Sequence, residues 1–340
     1  MRADRRAVVG VLLLVAGAFA GCGGPPPAVT ARAGVVAHAG EIVALAYAPD
    51  GRTLVSRGRD AIKAWNADSL RERGSLPSDG SDFGTVAVSP DGTAVAATLA
   101  GRGIVAWDLA TLAERATYHT PAAGGATPAA PEAFGWGLAY SPDGATLAGP
   151  ADDGAGSSIR LWDVAGRAAT GLGPPGSPAT HLAFTPDGKS LIAKGMEGSL
   201  RVFDVAGRAE RRTIDAGLTY LTAIAVSPDG RAVASSGADR YLRLWSVETG
   251  AEVGRLRGHL KAILGVAFHP DGRHVVTGDS AGTIFLWDIP AQRTIAQFAG
   301  HEGKVWTLAV RPDGRELASA GEDRQIRLWD IAKAIQAYGQ

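Results

Sequence analysis

Short apolar runs separated by turn residues extend along almost the whole chain. Runs of this length, bounded by Gly, Pro, Asp or Asn, indicate β-strands rather than helices. In the segment 301–330 the pattern predicts strands over 304–311, 316–319 and 325–329. The first two are joined by Pro312-Asp313-Gly314, in which proline presets the second turn position and glycine accepts the positive φ that ends the turn. Strands this short cannot form a stable unit alone, so each small sheet must stack on a neighbour.

The same Pro-Asp-Gly turn occurs seven times, and each is followed 16 to 20 residues later by an aromatic residue that closes an apolar strand. The turns begin at Pro49, Pro90, Pro142, Pro186, Pro228, Pro270 and Pro312. The aromatic residues are Trp65, Trp107, Trp162, Phe203, Trp245, Trp287 and Trp329, and the last four are 42 residues apart. A period of this length indicates a repeat architecture that forms one closed domain.

The last repeat joins Gly300-His301 to Pro312-Asp313-Gly314 and to a strand ending in Trp329-Asp330, and this arrangement resembles a WD repeat. The resemblance covers residues 29–330 and implies an all-β fold: a single seven-bladed β-propeller with four antiparallel strands per blade. Register predicts that an N-terminal strand over 30–37 completes the last blade. The expected organisation is a signal peptide (1–21), a Gly/Pro linker (22–28), the propeller (29–331) and a C-terminal tail (332–340) with helical character over 332–338.

The N-terminal segment differs from the repeats. Arg2, Arg5 and Arg6 precede an apolar run over 7–20, which is shorter than the ~20 residues of a membrane-spanning helix and is typical of a secretory signal. Phe19-Ala20-Gly21-Cys22 resembles the lipobox of bacterial lipoproteins, although Phe19 stands where leucine is usual. The resemblance implies that Cys22, the single cysteine, is lipidated. An ordinary signal peptide with a chance cysteine and a twin-arginine signal are the alternatives.

These features predict an extracytoplasmic lipoprotein, anchored to a membrane in the periplasm or at the cell surface. Gly23 to Pro27 would form a stiff, extended spacer. Removal of residues 1–21 changes the net charge from 0 to −2, and no basic face suggests nucleic-acid binding. The closing strand enters from the face of the Pro-Asp-Gly turns, here called the bottom face. The tether is therefore expected on that side, which leaves the opposite top face free.

One group of residues imitates catalytic chemistry. His301, Ser319, Asp323 and Trp329 invite a Ser-His-Asp interpretation, but the WD resemblance implies a structural hydrogen-bond network. By register only the last blade holds the complete set, because Ala281 takes the aspartate position of blade six and Gly217 the histidine position of blade five. No catalytic residue, cofactor or metal is expected. Four histidines outside the repeat positions show no ligand spacing: His119, His181, His269 and His274.

The expected function is a non-catalytic platform for unidentified protein partners, acting as a monomeric propeller. By resemblance, the residue before the first buried position of each innermost strand faces the top and often contacts partners. These candidates are Glu41, Asp82, Phe134, Tyr220 and Lys304, with Pro178 and Ala262 at the matching positions. Two enlarged loops beside blade three, a Pro/Ala/Gly insertion over 121–131 and a longer turn before Trp162, mark a binding edge or tolerated slack. The alternatives are a lactonase- or quinoprotein-like enzyme on the same scaffold, and an envelope-assembly lipoprotein.

Overall fold

Seven small β-sheets make up the protein. The computed structural model describes residues 26–80, 84–118, 137–152, 157–174, 179–195, 198–217 and 221–339, and within these ranges 29 strands form seven sheets of four or five strands. The predicted signal peptide, Cys22 and most of the Gly/Pro linker lie outside the described residues. Across the same ranges, no helix combines the length and apolar character that crossing a membrane requires.

Each sheet is one blade, with strand a innermost and strand d outermost. The first three blades consist of β3 (Ile42–Tyr47), β4 (Thr53–Gly58), β5 (Ala61–Asn66) and β6 (Glu72–Pro77); β7 (Val86–Val88), β8 (Ala94–Leu99), β9 (Gly103–Asp108) and β10 (Glu114–Tyr118); and β11 (Ala139–Tyr140), β12 (Thr146–Asp152), β13 (Ser157–Asp163) and β14 (Ala169–Leu172). Neighbouring strands in each blade are antiparallel. This confirms the predicted four-stranded repeat.

Blades four to six repeat the same plan. They consist of β15 (His181–Phe184), β16 (Ser190–Lys194), β17 (Ser199–Asp204) and β18 (Ala209–Asp215); β19 (Leu221–Val226), β20 (Ala232–Gly237), β21 (Tyr241–Ser246) and β22 (Glu252–Arg257); and β23 (Ile263–Phe268), β24 (His274–Asp279), β25 (Ile284–Asp288) and β26 (Arg293–Phe298). The fold is a seven-bladed β-propeller, as the sequence predicts.

The last blade joins the two ends of the chain. It contains β27 (Val305–Val310), β28 (Glu316–Gly321) and β29 (Gln325–Asp330), and its strand d is β2 (Ala33–Val36) from the N-terminus. β2 pairs antiparallel with β29, so the predicted closure by an N-terminal strand is confirmed. A shorter strand, β1 (Ala28–Val29), lies parallel to β26 on the outer edge of blade six, which the sequence did not predict.

A helix follows the last strand. α1 (Ile331–Tyr338) begins after Asp330, whose side chain accepts a hydrogen bond from the Lys333 backbone N–H at 2.9 Å. This is the N-cap role for which aspartate is favoured. Ile331 and Ala334 are buried in the apolar core that blades six and seven share, so the helix is packed onto the propeller.

The Pro-Asp-Gly turns form a collar on the bottom face. Gly92, in the turn of blade two, has φ +71°, and its Cβ position lies 3.6 Å from Pro49 of blade one. Gly144 and Gly188 approach the proline of the preceding blade at the same distance. Glycine is favoured at this position because of the positive φ, since a Cβ at 3.6 Å from the neighbouring proline would make only an ordinary van der Waals contact.

Candidate functional site at the top face

The four side chains singled out in blade seven are in direct contact. Trp329 Nε1–H donates to Ser319 Oγ at 2.7 Å, His301 Nε2 lies 2.6 Å from the same oxygen, and His301 Nδ1 lies 2.9 Å from Asp323 Oδ2. In the arrangement that satisfies every group, the serine hydroxyl donates to His301 and His301 donates to Asp323. Ser319 is fully buried, with 0% of its surface exposed. Its oxygen is therefore closed to a substrate, and the network links strands b and c to the top-face loops.

Blade one contains a second complete network. His38 Nε2 lies 2.7 Å from Ser56 Oγ, Trp65 Nε1–H donates to that oxygen at 2.8 Å, and His38 Nδ1 lies 2.7 Å from Asp60 Oδ1. Burial lowers the pKa of His38. The pKa of Asp60 is also lowered, because hydrogen bonds from the Ala39 N–H and from His38 outweigh the opposing effect of burial. The expectation that only the last blade holds a complete set is therefore wrong.

Blade six contains a third complete network. Thr277 Oγ1 lies 2.6 Å from His259 Nε2 and accepts from Trp287 Nε1–H at 2.7 Å. Asp279 Oδ2 lies 2.8 Å from His259 Nδ1, so Asp279 supplies the carboxylate partner of the histidine that Ala281 lacks. The register prediction failed here because Asp279 ends strand b, two residues before the position occupied by the aspartate in blade seven. A carboxylate at either position reaches the histidine.

Two of the predicted partner-binding residues meet at the mouth of the central channel. Glu41 Oε2 accepts from Trp306 Nε1–H at 2.9 Å, and Lys304 Nζ lies 5.1 Å from the centre of a Trp306 ring. Lys304 Nζ is also 3.5 Å from Glu322 Oε1. The Lys304 backbone N–H donates to Glu322 Oε2 at 2.9 Å and is the main cause of the lowered pKa of Glu322. Glu41, Lys304, Trp306 and Glu322 are called the mouth cluster.

The sequence reasoning missed two residues of the mouth cluster, Trp306 and Glu322. Trp306 directly follows the buried Val305 and reads as core from the sequence, yet it is only partly buried. An aromatic residue one place after the first buried position of strand a was the available signal. Leu260, in the loop before strand a of blade six, is 79% exposed on the same face.

Three of the predicted binding residues, Asp82, Phe134 and Tyr220, lie outside the described residues. The insertion over 121–131 and residues 153–156 of the longer turn lie outside them as well. Their assignment to a partner-binding face stays a prediction. The expectation of no ligand spacing is wrong for one pair of histidines, since His269 and His274 lie beside Asp271 with ligand atoms within 4.8 Å of one another.

The closed ring and its repeated Trp-Ser/Thr-His-Asp networks define a β-propeller built from WD-type repeats. Residues 211–246, 250–288 and 292–330 each match the family model for the WD domain, G-beta repeat, and these three matches support a WD-repeat family. It is also 26% identical over 181 residues to the Small ribosomal subunit protein RACK1y of Oryza sativa subsp. japonica. That match covers 50% of this chain and 49% of the rice protein, so it spans about half the length of the relative.

Proposed function

We propose that this protein is a protein-interaction platform without chemistry of its own, held outside the cytoplasm by a lipid on Cys22. The observation that carries the binding role is the mouth cluster. It presents a partly buried tryptophan among charged groups at the top of the channel, and aromatic residues in such settings are enriched among the dominant contacts of protein interfaces.

Trp306 is held in place before a partner arrives. Its indole N–H is bound to Glu41, and the Lys304 ammonium lies over a ring face. A side chain already fixed in one rotamer loses little conformational entropy on binding, which favours affinity. The exposed Leu260 adds apolar surface on the same face. Together they offer an apolar centre with a charged rim, the usual anatomy of a protein interface.

The hydroxyl groups that could have acted as nucleophiles in hydrolysis are buried. Ser56, Thr277 and Ser319 each have 0% exposure and each is bound on one side by tryptophan and on the other by histidine. This arrangement favours a binding role over an acyl-transfer enzyme. The rice relative is a protein of the small ribosomal subunit, and membership of a macromolecular assembly agrees with binding rather than turnover.

The path of the N-terminal residues supports a tether on the bottom side. β1 runs parallel to β26, which rises from the bottom face, and the Gln297 N–H donates to the Pro27 carbonyl at 2.9 Å. The chain thus approaches the propeller along the outer edge of blade six from the direction of the bottom face. A lipid on Cys22 would leave the mouth cluster pointing away from the membrane.

The binding role is tested by cross-linking in intact membranes, followed by comparison of captured partners between variants. Trp306→Ala should weaken capture by about 30-fold, since hot-spot truncations cost roughly 2 kcal/mol or more. Tyr338→Ala is the matched control, because Tyr338 is an exposed aromatic residue on α1 beyond the bottom end of β29. Equal capture by wild type and Trp306→Ala would exclude the mouth cluster as the binding site.

The anchor is tested separately by metabolic labelling with a fatty acid. The wild-type protein should take up label and sediment with membranes, whereas Cys22→Ser should do neither. Label retained in Cys22→Ser, or an unlabelled wild-type protein, would overturn the lipid assignment without affecting the binding role.

A further inference from the structure

The Pro-Asp-Gly turn of blade six differs from those of blades two to five. In blades two to five a serine or threonine two residues before the aspartate donates to its carboxylate, as Ser227 does to Asp229 at 2.6 Å. The same hydroxyl accepts the backbone N–H that starts strand b, at 2.9 Å from Ala232 in blade five. In blade six both positions hold histidine, namely His269 and His274.

The two imidazoles converge on one carboxylate oxygen. Asp271 Oδ2 lies 2.7 Å from His274 Nδ1 and 3.0 Å from His269 Nδ1. His269 Nε2 lies 2.9 Å from the Gly314 carbonyl oxygen, which can only accept, so the ring proton is on Nε2. In the neutral ring, His269 Nδ1 is then an acceptor, and it takes a hydrogen bond from the Asp271 backbone N–H at 3.2 Å. The same nitrogen also lies 3.0 Å from Asp271 Oδ2, and a cation placed between these two atoms would be attracted by both.

Burial and charge also suit a cation at this place. His269 and His274 are buried, with 9% and 3% of their surfaces exposed, whereas the Asp271 side chain is 36% exposed and opens the site to solvent. Asp288 is fully buried nearby and pairs with Arg273 at 2.7 Å. With both imidazoles neutral, the two aspartates and the one arginine leave this neighbourhood with one net negative charge.

We propose that His269 Nδ1, His274 Nδ1 and the Asp271 carboxylate bind a divalent transition-metal ion, for which Zn²⁺ is the best match. Two imidazoles and one carboxylate are a ligand set that zinc accepts, with bonds of about 2.0–2.2 Å and one position left open. Ligand atoms around such an ion lie roughly 3.3 Å apart, so the Asp271 oxygen must retreat by a few tenths of an ångström. Its partly exposed side chain has room to do so.

The hydrogen bond from His269 to Gly314 supports this assignment. Metal-bound imidazoles commonly donate their other ring N–H to a backbone carbonyl, which fixes the tautomer and the ring orientation. Gly314 belongs to the Pro-Asp-Gly turn of blade seven, the blade that closes the ring. An ion held by His269 would therefore connect the turns of blades six and seven.

The test is a calorimetric titration of the tag-free full chain with ZnCl₂, with CoCl₂ as a spectroscopic probe. One ion per chain should bind, and the Co²⁺ form should show the visible absorption of a four-coordinate site. At free zinc about 100 times the Kd, the melting temperature should rise by about 4 °C.

Double substitution His269→Ser with His274→Ala installs the residues that blade five uses, and it should weaken binding by at least about 10–100-fold. His181→Ser, in an exposed histidine of blade four, should bind like wild type.

Two results would overturn the proposal. One is a wild-type protein that has no saturable zinc site and whose nitrogen NMR spectrum shows His269 as an imidazolium paired with Asp271. The other is a double variant that binds zinc as tightly as wild type. If circular dichroism shows that the double variant is unfolded, the single substitutions His269→Ser and His274→Ala replace it. Unchanged binding in both of them would be equally decisive against the site.

Discussion

Ser319→Ala is the sharpest test of the hydrogen-bond networks as structural devices. Ser319 Oγ is the centre of the blade-seven network, where it meets Trp329 Nε1 at 2.7 Å and His301 Nε2 at 2.6 Å. Ser319 has no exposed surface, so water cannot replace the lost oxygen without a cavity of its own. The substitution leaves one buried donor and one buried acceptor without partners.

The magnitude follows from those two groups. Each buried polar group left unsatisfied costs about 1–3 kcal/mol, so with two such groups the free energy of unfolding should fall by about 2–6 kcal/mol. Proteins gain roughly 2.1 cal/mol/K of entropy per residue on unfolding, which is about 0.6 kcal/mol/K for a propeller of this size. The melting temperature should therefore drop by about 3–10 °C.

Ser319→Thr is the matched control, because Thr277 makes the same two contacts in blade six at 2.7 and 2.6 Å. The assay is calorimetric melting of both variants and wild type, with tryptophan fluorescence as a second probe of the same transition. A loss below about 0.5 kcal/mol for Ser319→Ala, the size of an ordinary surface substitution, would show that the buried hydroxyl does not stabilise the blade. An equal loss for Ser319→Thr would show that packing, and not the hydroxyl, is responsible.

Three further predictions concern the ring and its charges. Glu316→Ala removes a carboxylate that accepts hydrogen bonds from Arg32 Nε at 2.9 Å and from Tyr47 Oη at 3.2 Å, where the two ends of the chain meet. The free energy of unfolding, measured in urea, should fall by about 1–3 kcal/mol, and an unchanged midpoint would contradict this. Arg57 is a buried residue whose guanidinium bridges the Thr98 carbonyl at 2.7 Å and Asp79 at 3.0 Å between blades one and two. Arg57→Lys should lower the free energy of unfolding by about 1–3 kcal/mol in the same assay, because an ammonium group cannot make both hydrogen bonds in the planar geometry of a guanidinium. Because the folded-state pKa of His38 is lowered, its contribution is present above the ordinary value of 6.5 and is lost as the pH falls; those of Asp60 and Asp323 are likewise lost below 3.8. Melting temperatures between pH 8 and pH 3 should fall on the acid side, and His38→Asn should reduce the first part of that fall.

The repeat made most of the fold predictable. The Pro-Asp-Gly turn and the closing aromatic residue are local signals, and seven copies fix the number of blades and the register of the closing strand. β1 could not be found in this way, because a two-residue pairing carries no periodicity. It depends on the outer edge of β26, which exists only where blade six is formed.

The networks show where register reasoning loses accuracy. It missed Asp279 because the period locates an aspartate in the turn after strand b, whereas the histidine requires only a carboxylate within reach. In blade three the network is missing. Gly149 occupies the position of the serine, and within the described residues the buried Trp162 N–H has no hydrogen-bond partner. The mouth cluster depends on contacts between blades seven and one, whose residues are far apart in sequence. Such contacts leave no local pattern.

The path of the N-terminal strands has a mechanical consequence. β1 is parallel to β26 and β2 is antiparallel to β29, so both strands point from the bottom face toward the top. A pull on the N-terminus directed away from the bottom face acts along the axes of these strands. The backbone hydrogen bonds then share the load in shear and do not open one after another. The strand that closes the ring is thus oriented to bear tension, and a force applied through the N-terminus would meet its strongest resistance where the two ends of the propeller are joined.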